Sequence, residues 1–153
     1  LLLSVYEKLP SRRLVLISNW SISSYGEKLK KKYKNNFPNI FIYDAIYNQE
    51  DLNIIRSNTF LYIHSHSRCG TSPSLVEAMN YNIPIFCFDV KANRETTHNK
   101  SSYFSNKKDL FNLLENIEIK SLEANRNAMY SIGKEEYSWD IIAKKYNQLI
   151  DNY

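Results

Sequence analysis

Glycine and proline are scarce in this chain, with three glycines and four prolines among 153 residues. That leaves no material for a Gly- or Pro-rich linker, and no internal repeat or low-complexity segment interrupts the sequence. Cysteine is scarcer still. Cys69 and Cys87 cannot build a disulfide framework, and neither CxxC nor a Cys/His zinc spacing occurs, which fits a reducing cytosolic setting. No apolar run approaches the roughly 20 residues of a membrane-spanning helix. Leu1-Leu2-Leu3 is too short for a signal peptide and no initiating Met precedes it, so the N-terminus is expected to be a cut inside a longer protein. The residues that are present make a globular composition: 43% hydrophobic, 24% charged and 14% aromatic. Disordered chains lack that aromatic content. One domain over 1–153 is expected, large enough to bury about two-thirds of its extended-chain surface. A net charge of +4 favours anionic partners without choosing among nucleotides, acidic headgroups and nucleic acid.

Short β-like runs alternate with helical stretches. Leu1 to Leu9 reads as the tail of a helix stopped at Pro10. Leu14 to Ser18 is a continuous apolar run, expected to be a strand buried on both faces of a parallel sheet. Glu27–Lys34 is expected to be a lysine-rich helix, Ile40–Tyr43 a strand, and Glu50–Ser57 a helix offering Leu52, Ile54 and Ile55 to a core. Phe60–Ile63 follows as a strand, Ser74–Asn80 as a helix and Pro84–Phe88 as a fourth strand. After Lys107 helices take over, with Leu110, Phe111, Leu113, Leu114 and Ile117, then Leu122, Met129 and Ile132, at helical spacing. Ser138 is a good N-cap for a last helix carrying Ile142, Ala143, Tyr146, Leu149 and Ile150. Alternating strands and helices imply an α/β fold, a Rossmann-like doubly wound parallel sheet with a helical C-terminal segment.

Ligands of such sheets bind beyond the carboxyl ends of the strands. The most unusual loop there runs from His64 to Glu77, with two histidines, Arg68, Gly70 and several hydroxyl residues before a helix with Pro73 in its first turn. A helix start offers free N–H groups to a phosphate, and Gly70 lets the backbone approach it. The same residues also fit a plain helix start, with Ser72 as cap and Ser74 with Glu77 as a capping box. His64 and His66 alternate and share a face in extended chain. A zinc site needs a third ligand, and the only other histidine is His98, so no metal is expected. Arg68 fits a phosphate contact or a solvated loop. Cys69 lacks a base partner for a nucleophilic role. Asn93-Arg94-Glu95, after the fourth strand, fits a ligand contact or a polar loop. Lys30-Lys31-Lys32 reads as a solvated helix face, with attraction to an acidic membrane surface as the lesser alternative.

Tyr62-Ile63-His64-Ser65-His66-Ser67, then Gly70-Thr71-Ser72-Pro73-Ser74-Leu75-Val76-Glu77-Ala78-Met79 and Ile83-Pro84-Ile85, resemble the donor site of the retaining group 1 glycosyltransferases. Asn93-Arg94-Glu95 matches a subgroup found in bacterial O-antigen and capsule clusters, which includes rhamnosyl- and N-acetylgalactosaminyl-transferases. Tyr137-Ser138-Trp139-Asp140 resembles the closing helix of the family. The resemblance implies one half of a GT-B architecture, in which two Rossmann-like domains face a cleft and the C-terminal one holds a UDP- or dTDP-sugar such as UDP-GalNAc. It implies that Glu77 accepts hydrogen bonds from the ribose diol and that Gly70, Thr71 and Ser72 face the diphosphate. Ser74, Leu75, Arg68, Asn93, Arg94 and Glu95 complete the implied nucleotide-sugar site. His66 falls near the donor sugar or acceptor, the one candidate for a catalytic role. Cys69 stands where the family has a sugar-contacting glutamate, a departure that puts a thiol in place of a carboxylate.

Transfer without a metal cofactor is implied, with basic side chains and helix N–H groups stabilising the leaving diphosphate. The acceptor would be a lipid-linked saccharide held by an N-terminal domain that, with the first strand, is expected to precede Leu1. The implied location is the cytoplasm, with peripheral contact at the inner face of the bacterial cytoplasmic membrane. The fragment alone is expected to be inactive. A nucleotide-sugar epimerase of the same architecture and a non-catalytic Rossmann-like binding module are the rival readings. Nucleic acid is not an expected partner, since the charge is modest and no recognised RNA-binding motif occurs.

Overall fold

The computed structural model describes residues 1–151, so positions 152 and 153 of the expected domain lie outside the described residues. In chain order the elements are α1 (Leu2–Tyr6), β1 (Leu14–Ser18), a 3-10 turn (Trp20–Ile22), α2 (Ser24–Tyr33), β2 (Ile40–Asp44), α3 (Gln49–Ser57) and β3 (Tyr62–His64). They continue with α4 (Pro73–Met79), β4 (Ile85–Phe88), α5 (Lys91–Thr96), β5 (Ser102–Phe104), α6 (Lys107–Glu115), α7 (Ile119–Glu136) and α8 (Trp139–Asp151). Contacts divide the chain into two units: Leu1–Ile55 with Asn106–Asn116, and Arg56–Ser105 with Ile117 onward.

In the first unit β1 and β2 pair in parallel, Leu14 opposite Ile40 and Ser18 opposite Asp44. Parallel neighbours need a crossover, and α2 provides it. Leu14, Ile40 and Ile42 are buried with Val5, Tyr6, Leu9 and Tyr33, and α6 adds Leu110 and Leu114. The buried Asn39 carboxamide donates to the carbonyls of Tyr6 (2.9 Å), Leu9 (3.0 Å) and Arg12 (3.0 Å), tying the end of α1 to the start of β2. Burial on both faces, expected for the apolar run of β1, does not occur. Val15, Phe41 and Tyr43 are exposed: burial alternates with the pleat from Ile40 to Tyr43 in β2, and in β1 only Leu14 is fully buried. Nor does α3 bury any residue; Ile54 is exposed.

The second unit holds a three-stranded parallel sheet in the order β3-β4-β5, with Tyr62 opposite Ile85 and Cys87 opposite Tyr103. β3 begins two residues later than expected. The Tyr62 amide donates to the Pro84 carbonyl (3.0 Å), which fixes the register at Ile85, while Phe60 lies exposed before it. Pro84 itself cannot donate to a ladder, so β4 starts after it. Leu75, Ala78, Met79, Ile83, Ile85, Cys87, Met129 and Ile132 form one buried cluster between α4, β4 and α7. Gly133 lets α7 approach α4 closely, since a Cβ there would lie 2.8 Å from Met79 Cβ. From α7, Asn125 Oδ1 accepts from the Ile85 amide (2.7 Å) and its Nδ2 donates to the Ile85 carbonyl (3.0 Å), satisfying the start of the central strand.

Ser138 caps α8 as expected, its hydroxyl accepting from the Ile141 amide at 3.4 Å. The helix buries none of its apolar residues, however: Trp139, Tyr146, Leu149 and Ile150 are exposed. None of the three glycines has positive φ; Asn35, Asn82, His98 and Asn99 occupy the left-handed positions. The chain is thus a mixed α/β protein, with its described strands in two small parallel sheets where one was expected. Among the described residues no helix is long and apolar enough to cross a membrane.

Candidate functional site

Three short strands of the second unit run parallel, so the segments leaving β3 and β4 emerge at one edge. Tyr62, His64 and His66 alternate along the chain. His64 closes β3 and is 1% exposed, whereas His66 is exposed two residues on. Their rings stand 4.7 Å apart. His64 Nδ1 meets the Tyr62 hydroxyl at 3.4 Å, and its Nε2 is buried with no hydrogen-bond partner. Burial, with His66 adding to it, pushes the His64 imidazolium down to about 4, so the ring is neutral near pH 7.

A turn after His66 carries the chain back. One ligand-type atom each from His64, His66 and Cys69 lies within 4.8 Å of the others. Cys69, not His98, is the third member; His98 instead pairs with Glu136 at 3.1 Å. Asn93 holds the loop down. Fully buried in α5, its Nδ2 donates to the carbonyls of Phe88 (2.8 Å) and His66 (3.1 Å), while its Oδ1 accepts from the Cys69 thiol at 3.7 Å. The other cysteine lies in the core, and burial pushes the Cys87 thiol up to about 11.

The start of α4 is not the capping box that Ser74 and Glu77 allow. Ser72 stands at the N-cap with a hydroxyl that accepts from no helix amide; it pairs with the Ser74 hydroxyl at 3.0 Å. Ser74 in turn bonds to Tyr62, so a line of hydroxyls runs from the helix start to His64. Glu77 reaches away, to Arg56 Nη2 at 2.7 Å, with half its side-chain surface still exposed. Gly70 is exposed, and a Cβ added there would meet nothing within 4 Å. Arg68 and Thr71 are exposed, and Leu75 is a fully buried core residue rather than a surface contact.

The segment Asn93-Arg94-Glu95, one alternative for which was a polar loop, is helical. Arg94 grips Asp89 with both ends of its guanidinium, Nε to Oδ1 at 2.5 Å and Nη2 to Oδ2 at 2.8 Å, and lies over the Tyr103 ring. The pair holds the Asp89 carboxyl below its ordinary value. Glu95 is exposed and within 3.7 Å of Lys91. The structure thus gathers His64, His66, Cys69 and Asn93 together, leaves Arg68, Gly70 and Thr71 open on the same loop, and gives Glu77 and Arg94 protein partners. Tyr62 is the member that sequence reasoning missed, although its place two residues before His64 puts it on the same strand face.

In the first unit a cavity of about 420 Å³ is lined by Trp20, Glu27, Lys30, Lys31 and Lys34 among others. Lys30 is already bonded to Asp44, and none of the site residues expected from the sequence lies there. No known protein family and no curated protein matches the chain.

Proposed function

We propose that this chain is the donor-binding part of a nucleotide-sugar glycosyltransferase. The whole enzyme would be of Rossmann-like, GT-B type, transferring a sugar with retention to a lipid-linked saccharide in bacterial surface-polysaccharide synthesis. The observation that carries the reading is the loop 65–72. It is hydroxyl-rich and largely exposed, leaves the carboxyl end of a parallel strand, and is pinned from beneath by Asn93. The resemblance of Tyr62 to Ile85 to a donor site supports it independently of the geometry.

In this reading the diphosphate lies against Gly70, Thr71 and Ser72, where the open face of Gly70 admits an anion to the backbone. Glu77 offers its remaining oxygen to the ribose diol while Arg56 holds the other. His66 and Cys69 flank the sugar. As the bond from the anomeric carbon to the diphosphate breaks, negative charge grows on the departing oxygen. Arg68, exposed on the loop, is the cation free to move toward it. That stabilisation asks for no metal cofactor. The protein works in the cytoplasm, and its membrane contact is peripheral.

Titration with UDP, dTDP and GDP while amide shifts are followed tests this. Shifts are expected across Thr71 to Glu77, and their absence with all three nucleotides overturns the reading. Gly70→Ala sharpens the test. No clash awaits the new methyl, so stability is expected to hold, while nucleotide affinity falls about tenfold because the ligand's approach is blocked.

A further inference from the structure

The geometry points to a binding site for one borderline transition-metal ion, zinc by its ligand set, formed by His64, His66 and Cys69. This goes beyond the nucleotide reading, which needs no metal. Two imidazoles and one thiol are the donors that zinc, cobalt and copper prefer, and no carboxylate belongs to the cluster, so magnesium and calcium are poor fits. The donor atoms already lie within 4.8 Å of one another. Tetrahedral zinc ligands sit about 3.5 Å apart, so the trio must close by about 1 Å. His66 is exposed and Cys69 half-buried on a loop, which gives them room to move toward a fixed His64.

His64 supplies the independent sign of a missing ligand. Its Nε2 is buried without a partner, which is costly for a polar atom in a well-made protein. When Nδ1–H donates to the Tyr62 oxygen, the lone pair of Nε2 is left free for a metal, and Tyr62 serves as the outer partner that fixes a metal-binding histidine. Asn93 sets the other two. It anchors the backbone of His66 and touches the sulfur of Cys69. Binding replaces the thiol proton with the ion, so about one proton is released per metal, and the fourth position is left to water.

Zinc titration of the whole chain, with a chromophoric chelator as competitor, is expected to show one site. Cobalt in its place is expected to give a thiolate-to-metal band in the near ultraviolet and visible bands of tetrahedral strength. Cys69→Ser is expected to abolish the near-ultraviolet band, and His66→Ala to weaken zinc by at least about tenfold. Both side chains are on the loop, so neither change removes core packing. Bound zinc should also slow alkylation of Cys69. A cobalt spectrum without the thiolate band, or zinc affinity unmoved by both substitutions, overturns the site. Nucleotide shifts at Thr71 to Glu77 read different residues, so failure of either proposal leaves the other intact.

Discussion

Glu7 shows how much one half-buried carboxylate can take from its neighbours. The hydroxyl of the buried Tyr33 donates to its Oε1, and Lys32 Nζ lies 3.2 Å from the same oxygen. Those two bonds, Tyr33 first, hold the Glu7 carboxyl below its ordinary value of 4.5. Asp44 beside Lys30 and Asp89 beside Arg94 are held low in the same way. The unfolded chain therefore takes up these protons at higher pH than the folded one, and stability rises with pH across that interval. The contribution of Glu7 is present above about pH 4.5 and is lost as the pH falls through its folded value. Urea unfolding at about pH 6 and about pH 3 should give a smaller difference for Glu7→Gln than for the unaltered chain. Equal differences would mean that Tyr33 and Lys32 do not favour the ionised form.

Among the elements, the packing of α7 on α4 is the most exacting. Gly133 is buried in α7, and the nearest atom to an added Cβ is Met79 Cβ at 2.8 Å, which is not the pliant end of a side chain. Met79 is itself fully buried, so helix or backbone must move. Gly133→Ala gains helix propensity of about 1 kcal/mol and meets an overpacking cost of about 1–3 kcal/mol. Net destabilisation of about 1 kcal/mol is expected in denaturant unfolding, and stabilisation would show that α7 can shift freely. Little of this contact is legible in the sequence. The helical spacing of Leu122, Met129 and Ile132 marks the inner face of α7. That Gly133 and the polar Asn125 lie on that face depends on where Met79 and Ile85 arrive, which no local pattern encodes.

The strands repeat the lesson with a different cause. Apolar runs mark β1, β2 and β4, but exposure of Val15, Phe41 and Tyr43 depends on what covers the second face. β5 is three residues long, too short for a period-2 signal. At the candidate site, the strand–loop–helix order of His64 to Glu77 is legible. The partners of its charges are not, because Glu77 finds Arg56 on α3 and the return of the loop to Cys69 is a matter of turn geometry.

For the molecule as a whole, a net charge of +4 does not mean that cations stand ready at the loop 65–72, where the proposed diphosphate would lie. Of the arginines in or beside that segment, Arg56 is bonded to Glu77 and Arg94 to Asp89. Arg68 is exposed on the loop itself. A single solvated guanidinium is weak compensation for a diphosphate leaving group, because exposed charges interact through high dielectric and are screened by salt. Catalysis of this kind needs donors fixed in place before the charge develops. The 153-residue chain is therefore expected to bind a nucleotide diphosphate and yet neither hydrolyse nor transfer the sugar of UDP- or dTDP-sugars. Release of UDP or dTDP, followed by a coupled assay with and without a lipid-linked saccharide, measures this directly. Steady turnover would show that Arg56 or Arg94 leaves its carboxylate to serve the reaction, and Arg94→Gln and Arg56→Gln would then identify which.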